Sequence, residues 1–195
     1  MAFFRKFFDK TDKVDYSKLK LQSQISVQYA IADNYVISLA AQQRRLDILQ
    51  NYLRNVSEID ADQKIEILEE INNMEYLIEA YQSLVKENLF IKFQNNISDN
   101  ISFLIQPFIL FPIVQNALRY GYNTLEKYPV RIKLHLVNNT LKLEVSNRVN
   151  HNLENQAQNS IIENLKARLE IYYKEKYNLL INSNTNIFKV TLIIF

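Results

Sequence analysis

The order of hydrophobic periods along the chain predicts an α+β fold, with an antiparallel helical hairpin first and an α/β sandwich after it. Two observations carry this reading. Apolar residues recur at helical spacing through the first half, and from Leu89 onward short segments alternate with a period of two, interleaved with two further helical stretches. A third observation bears on function. The chain contains a single glycine, Gly121, where about 7% of residues would be usual. Glycine lets a backbone turn closely around a phosphate, so a glycine-rich nucleotide loop has almost nothing to be built from here.

The elements follow in order. Residues 17–55 read as one long helix, because Ile25, Ala32, Leu39, Leu46 and Leu53 recur every seven residues, as in a coiled coil, and Leu21, Tyr35 and Leu49 complete the seam. Between Leu21 and Gln43 the only charged residue is Asp33, which implies cover on more than one side: a hairpin partner on one, a second copy of the chain on another. Asp60 and Gln63 have capping-box spacing and predict the start of a second helix, whose buried stripe is Ile67, Ile71, Met74, Ile78, Tyr81 and Val85. Leu89, Ile91 and Phe93 predict a strand. Phe108 to Tyr120 reads as a helix closed by Gly121 in a left-handed cap.

Ile132, Leu134 and Leu136 alternate along a strand that turns at Val137-Asn138-Asn139-Thr140, and Leu141, Leu143 and Val145 alternate back. Residues 146–159 read as a loop and Ser160 to Tyr173 as a helix. Leu179 and Ile181 face Phe188, Val190, Leu192 and Ile194 in a last hairpin. The resulting division is an amphipathic segment over 1–11, a helical hairpin over 12–88 and a sandwich over 89–195.

Composition excludes several functions. With 195 residues, 48% of them hydrophobic, the chain can bury a sizeable core. A net charge of +2 gives no field for nucleic acid. The absence of cysteine removes thiol catalysis, disulfides and thiolate zinc sites and fits a reducing, cytoplasmic setting. The two histidines, His135 and His151, do not make a dedicated metal centre. No apolar run reaches the roughly 20 residues of a spanning helix, and the opening is too short for a signal peptide. That opening places Phe3, Phe4, Phe7 and Phe8 on one helical face with Arg5, Lys6 and Lys10 beside them. It reads either as a frayed turn tucked onto the body or as an anchor at the inner face of a membrane.

Three segments together resemble the cytoplasmic core of LytS-type sensor histidine kinases, over about Leu19 to Phe195. Leu21 to Tyr29 looks like the phosphoacceptor helix. Gln106 to Gly121 looks like the box that carries the magnesium-binding asparagine. Glu163 to Tyr173 looks like the helix after the ATP lid. The resemblance implies a dimerising hairpin followed by an ATPase domain of the histidine-kinase type, acting as an ATP-dependent protein-histidine kinase with Mg-ATP as cofactor.

The positions that carry this chemistry are changed. Gln28 stands at the phosphoacceptor position, and a carboxamide nitrogen, its lone pair delocalised, is no nucleophile. It reads as a polar residue bonded across the bundle or to water. Gln115 stands at the acid position and cannot serve as a general base. Asn116 aligns with the magnesium ligand, an amide oxygen suited to a hard cation, but could equally face solvent. Tyr120 replaces the histidine before glycine. Asn147 stands where the adenine pocket begins, and Asn164 lies on the helix after the lid. Asn159 and Ile161 replace lid glycines. Ser160 and Glu163 have capping-box spacing, which would close the helix start to an anion.

Two functions follow. One is a catalytically inactive signalling module that forms a homodimer or pairs with a related kinase, with a response regulator as a further partner. The other retains Mg-ATP through Asn116, Tyr120, Asn147 and Asn164 and acts on a histidine of another protein. A third reading is an adaptor at a membrane surface, led by the N-terminal aromatics.

Overall fold

The computed structural model describes residues 15–85, 89–121, 125–150 and 160–195. The N-terminal aromatics Phe3, Phe4, Phe7 and Phe8, together with His151 and Asn159, lie outside the described residues. The architecture is a helical segment followed by a mixed sheet with helices on one face, the fold class read from the sequence.

The first arm of the hairpin is three helices in place of one: α1 (Tyr16–Ile31), α2 (Asn34–Gln43) and α3 (Leu46–Val56). Asp33 causes the first break. Its carboxylate accepts from the Tyr35 and Val36 backbone N–H groups at 2.9 and 3.2 Å, which makes it an N-cap and starts a new helix. Arg44 causes the second, closing α2 from the left-handed region at φ 57°. The heptad register therefore does not run through, and Leu21 and Leu46 end up 58% and 55% exposed.

The second arm also starts later than Asp60. Asp60 instead holds a local turn, accepting from the Asp62 N–H and from Gln63 Nε2. A two-residue strand, β1 (Ile65–Glu66), intervenes, and α4 (Ile67–Leu84) follows with Glu66 as its N-cap. Ile67, Ile71, Met74, Ile78 and Tyr81 form the buried stripe as read, with Val85 half-buried beyond the helix end.

The sheet is built from β2 (Ile91–Asn96), β4 (Val130–Val137), β5 (Thr140–Arg148), β7 (Ile187–Ile194) and β6 (Tyr177–Ser183), in the order β2-β4-β5-β7-β6. Only the β2–β4 pair is parallel. The turn between β4 and β5 places Asn138 and Asn139 at φ 49° and 60°. Asparagine tolerates this left-handed pair, and the twist of such a turn matches the strands. Ile132, Leu134, Leu141, Leu143, Val145, Val190 and Leu192 bury on one face beneath α5 (Phe111–Tyr120) and α6 (Ser160–Tyr172). A short strand, β3 (Leu104–Ile105), pairs with β1 and ties the start of α4 to the segment before α5.

Two local expectations for α5 are corrected. The helix starts at Phe111, because Phe108 turns through φ 59° and breaks the backbone ahead of it. Gly121 is extended, at φ −73° and ψ 155°, and is not a left-handed cap; its N–H still closes the helix on the Ala117 carbonyl. Any residue could adopt that backbone, so the lone glycine is not spent on a conformational need at this point.

One hydrophobic core runs continuously from Val27 in α1 to Ile194 in β7. The polar-poor α1 packs along α6 and against α5, and not along α4 as a simple two-helix hairpin would have it. No helix of the described residues is long and apolar enough to cross a membrane.

A buried carboxylate fixes the segment leading into α5. Glu70 is fully buried on α4 and accepts from the Phe108 and Leu110 N–H groups at 2.9 and 3.0 Å. Arg168, 1% exposed on α6, donates through Nη2 to the Pro107 carbonyl at 2.9 Å and the Ala61 carbonyl at 3.0 Å. Burial pushes the Glu70 carboxyl up to about 7, against the pull of these two N–H groups and the Arg168 charge. The folded chain therefore holds a proton on Glu70 that the unfolded chain, with an ordinary carboxyl near 4.5, releases earlier. The stabilisation is complete below the unfolded value and is lost as pH rises through about 7. Urea unfolding should show the stability advantage of the unmodified chain over Glu70→Gln shrinking between those two pH values. An advantage that does not change with pH would contradict this assignment.

Candidate functional site

The residues singled out for nucleotide chemistry are spread over α1 (Gln28), α5 (Gln115, Asn116, Tyr120), β5 (Asn147) and α6 (Asn164). Helix α5 begins with Pro112 in its first turn, where a missing N–H costs nothing. Ile113, Val114, Ala117 and Leu118 are buried, and so are Gln115 and Asn116, at 2% and 1% exposure. A solvent-facing Asn116 is thereby excluded. The helix is enclosed on more faces than its apolar residues alone require.

Gln115 has a specific task. Its Nε2 donates to the Tyr29 carbonyl at 2.9 Å and to Asp33 Oδ2 at 3.1 Å. Tyr29 lies in the last turn of α1, where carbonyls lose their intrahelical partners. The Asp33 break creates that vacancy, and Gln115 fills it from another part of the chain. Asp33 Oδ2 also accepts from the Tyr81 hydroxyl at 2.6 Å. The ring of Tyr81 stacks on Tyr35, with centroids 5.8 Å apart. Burial, then the Asp33 charge, raises the Tyr81 phenol above its ordinary range. Gln115 thus joins α5 to α1, at the residue next to Gln28.

Gln28 itself is exposed. It borders a cavity of about 450 Å³ between α1 and α6, with Lys20, Asp62, Arg168 and Tyr172 on its walls. Arg168 also lies against the Tyr172 ring, 4.9 Å from its centroid, and its Nη1 reaches Ser23 Oγ at 3.4 Å.

The three asparagines are all buried: Asn116 on α5, Asn147 on β5 at 3% and Asn164 on α6 at 6%. Asn147 Nδ2 donates to the Arg148 carbonyl at 2.8 Å. Neither Asn116 nor Asn164 borders the cavities at α1–α6, at α3–α4 or at the β4–β5 corner. Asn147 borders the last of these, about 240 Å³ in volume. Tyr120 is half-buried at the end of α5, its ring 5.4 Å from the Arg119 guanidinium carbon. Ile161 is 5% exposed and sits in the first turn of α6. The Glu163 carboxylate pairs with Lys166 at 2.7 Å; the residues ahead of Ser160, where the capping box read from the sequence would close, lie outside the described residues. His135 stands on the helix-free face of the sheet next to Asn96. Among the described residues no group of three or more histidine or acidic side chains is placed to hold a metal ion.

The sequence reading missed Glu70, Arg168 and the role of Asp33. A signal for Glu70 was present: it occupies the buried stripe between Ile67 and Ile71, where a carboxylate needs a partner. Arg168 lies in the segment compared with the lid helix, but nothing in its local pattern announces burial.

The geometry makes restoration of an acid at position 115 costly. In Gln115→Glu a carboxylate would face the Tyr29 carbonyl and the Asp33 carboxylate, with no donor between them. Urea denaturation should show a loss of about 3–5 kcal/mol. Gln115→Met, which removes the amide without adding charge, should lose about 1–3 kcal/mol.

No family model and no curated protein matches the chain. Solved structures do. A histidine kinase domain from the Erythrobacter litoralis EL346 blue-light activated histidine kinase aligns with a TM-score of 0.52 and 12% identity, over 91% of this chain and 95% of that one. The Acinetobacter baumannii histidine kinase AdeS aligns at a TM-score of 0.48 and 14% identity, over 91% and 95% of the two chains. A histidine kinase from Burkholderia phymatum STM815 aligns at 0.48 and 12%, over 92% and 94%. At 12% identity the first of these likenesses establishes architecture and nothing finer: the chain has the fold of a histidine kinase domain, helical segment and α/β sandwich together.

Proposed function

We propose that the chain is a signalling module of the two-component type in which the kinase scaffold is kept and phosphotransfer is lost. The observation that carries this reading is the engagement of Gln115. The side chain at the acid position is committed to Tyr29 and Asp33 and has no freedom to activate a reacting group. Three further features support it. Gln28 offers an amide where an imidazole would be phosphorylated. Ile161 fills the start of α6 with a β-branched side chain. Asn116 and Asn164 are buried in the core and apart from the described cavities.

In this reading the helical segment pairs with a second copy or with a related active kinase, and the sandwich presents a docking surface for a response regulator. Leu21 and Tyr16 on α1, 58% and 60% exposed, are the apolar side chains that such pairing would cover. The module would work in the cytoplasm and hold neither magnesium nor nucleotide.

Isothermal titration with Mg-ATP is the direct test. No saturable heat is expected. Micromolar binding abolished by Asn116→Ala would instead establish a retained nucleotide site around Asn116, Tyr120, Asn147 and Asn164. Analytical ultracentrifugation tests the pairing separately: a dimer at micromolar concentration is expected to shift to monomer in Leu21→Glu. A monomer in the unmodified chain would leave only the heteromeric form of the proposal.

A further inference from the structure

The face of the sheet away from the helices is strongly basic. Side chains alternate along each strand, so Lys92, Arg131, Lys133, Lys142 and Lys189 project to the side opposite the core. The register sets Lys92, Arg131, Ser146 and Lys189 in one row across four strands. On the described strands the only carboxylate of this face is Glu144. It is held by Lys189 at 2.5 Å and Lys142 at 3.3 Å. Lys92, Arg131 and Lys133 are exposed. With Arg148, which the register also sets on this face, six cations against one carboxylate on the described strands is a marked segregation in a chain whose net charge is +2.

Apolar side chains stand at three margins of the same face. Val137 is 63% exposed at the hairpin end of β4, Leu180 is 52% exposed on the edge strand β6, and Ile187 is 47% exposed at the start of β7. The cavity of about 240 Å³ opens beside Ile187, at the end of β4 and β5 away from their hairpin, with Lys127, Arg131 and Arg148 on its walls and no carboxylate among the described lining residues. Two of these cations lie near the Tyr128 ring, Lys127 Nζ at 5.5 Å and the Arg148 guanidinium carbon at 5.2 Å from its centroid.

We propose that this open sheet face lies against an anionic membrane surface, with the corner cavity receiving a lipid headgroup phosphate. Charge complementarity selects a polyanion, because exposed cations gain from a nearby layer of negative charge. The exposed aliphatics select lipid among polyanions. A nucleic-acid strand would call for a row of aromatic platforms along the face, and the sheet strands offer only the single imidazole of His135 there. Aliphatic side chains mixed with lysine and arginine suit the boundary between headgroups and acyl chains. Of the residues read for nucleotide chemistry only Asn147 borders this cavity, and the proposal uses none of the side chains of α1, α5 or α6, so its failure would leave the signalling reading standing.

Vesicle flotation of the full chain tests the proposal, with phosphatidylcholine vesicles alone and with phosphatidylserine added. Binding is expected only to the anionic vesicles and should weaken with salt. In Lys92→Glu/Arg131→Glu/Lys133→Glu, all at exposed positions, the partition coefficient should fall by about a hundredfold, with an unchanged circular dichroism spectrum. In Val137→Ser/Leu180→Ser the binding that survives high salt should fall. Equal flotation of the charge-reversed variant would overturn the proposal, because another segment would then carry the contact. So would equal binding to neutral vesicles, or no binding to any. Binding to poly(U) RNA that is tighter than to anionic vesicles and lost in the charge-reversed variant would assign the face to nucleic acid and reject lipid.

Discussion

The clamp formed by Glu70 and Arg168 on the segment before α5 is the constraint on which the rest of the structure depends. That segment must turn sharply, and Phe108 does so in the left-handed region without a glycine. The cost of placing a bulky residue there is recovered only if its backbone is held from outside. Glu70 supplies two acceptors from α4, Arg168 supplies donors from α6, and the Tyr173 hydroxyl accepts from the Gln106 N–H at 2.9 Å. Three side chains from two distant parts of the chain thus fix one turn. Because α5 follows immediately, its placement against the sheet and against α1 is decided at the same point. Both groups are buried; backbone N–H groups and carbonyls take up the Glu70 oxygens and the Arg168 Nη2, and burial holds the Glu70 proton up to about 7, which lessens the cost of the buried carboxylate.

A second network makes the helical segment and the sandwich a single packed body. Asp33 ends one helix, starts the next and receives Tyr81 and Gln115. The Gln115 amide ties α5 to α1 at the residue after Gln28, and α1 lies along α6. An amide suits such a tie because it donates without carrying a charge, and Ile161 is buried in the first described turn of α6.

Much of this was legible locally. The period of two placed the β4–β5 hairpin and its Asn-Asn turn correctly, because a half-buried strand writes its burial into every second residue. The stripe of α4 was equally clear. The long first helix was misjudged because a heptad pattern continued across Asp33 and Arg44, and one charged residue within an apolar run did not look strong enough to break it. Its carboxylate has partners on other elements, Tyr81 and Gln115, and these are invisible to a local pattern. The supposed cap at Gly121 failed for the opposite reason: glycine permits the left-handed conformation but does not require it.

For the candidate site, the sequence by itself determined which functional groups are present: an amide at 28, an amide at 115, asparagines at 116, 147 and 164, and no glycine near residues 159–161. Side-chain chemistry is a property of the residue, so what these groups cannot do was fixed before folding. The tertiary structure alone decided where they go. It buried Asn116, engaged Gln115, covered α1 with α6 and gathered the lysines and arginine of separate strands onto one open face. Those outcomes depend on pairings between residues far apart in the chain. A pairing of that kind is set by the sum of packing and hydrogen bonding over the whole core, which no single stretch of sequence contains.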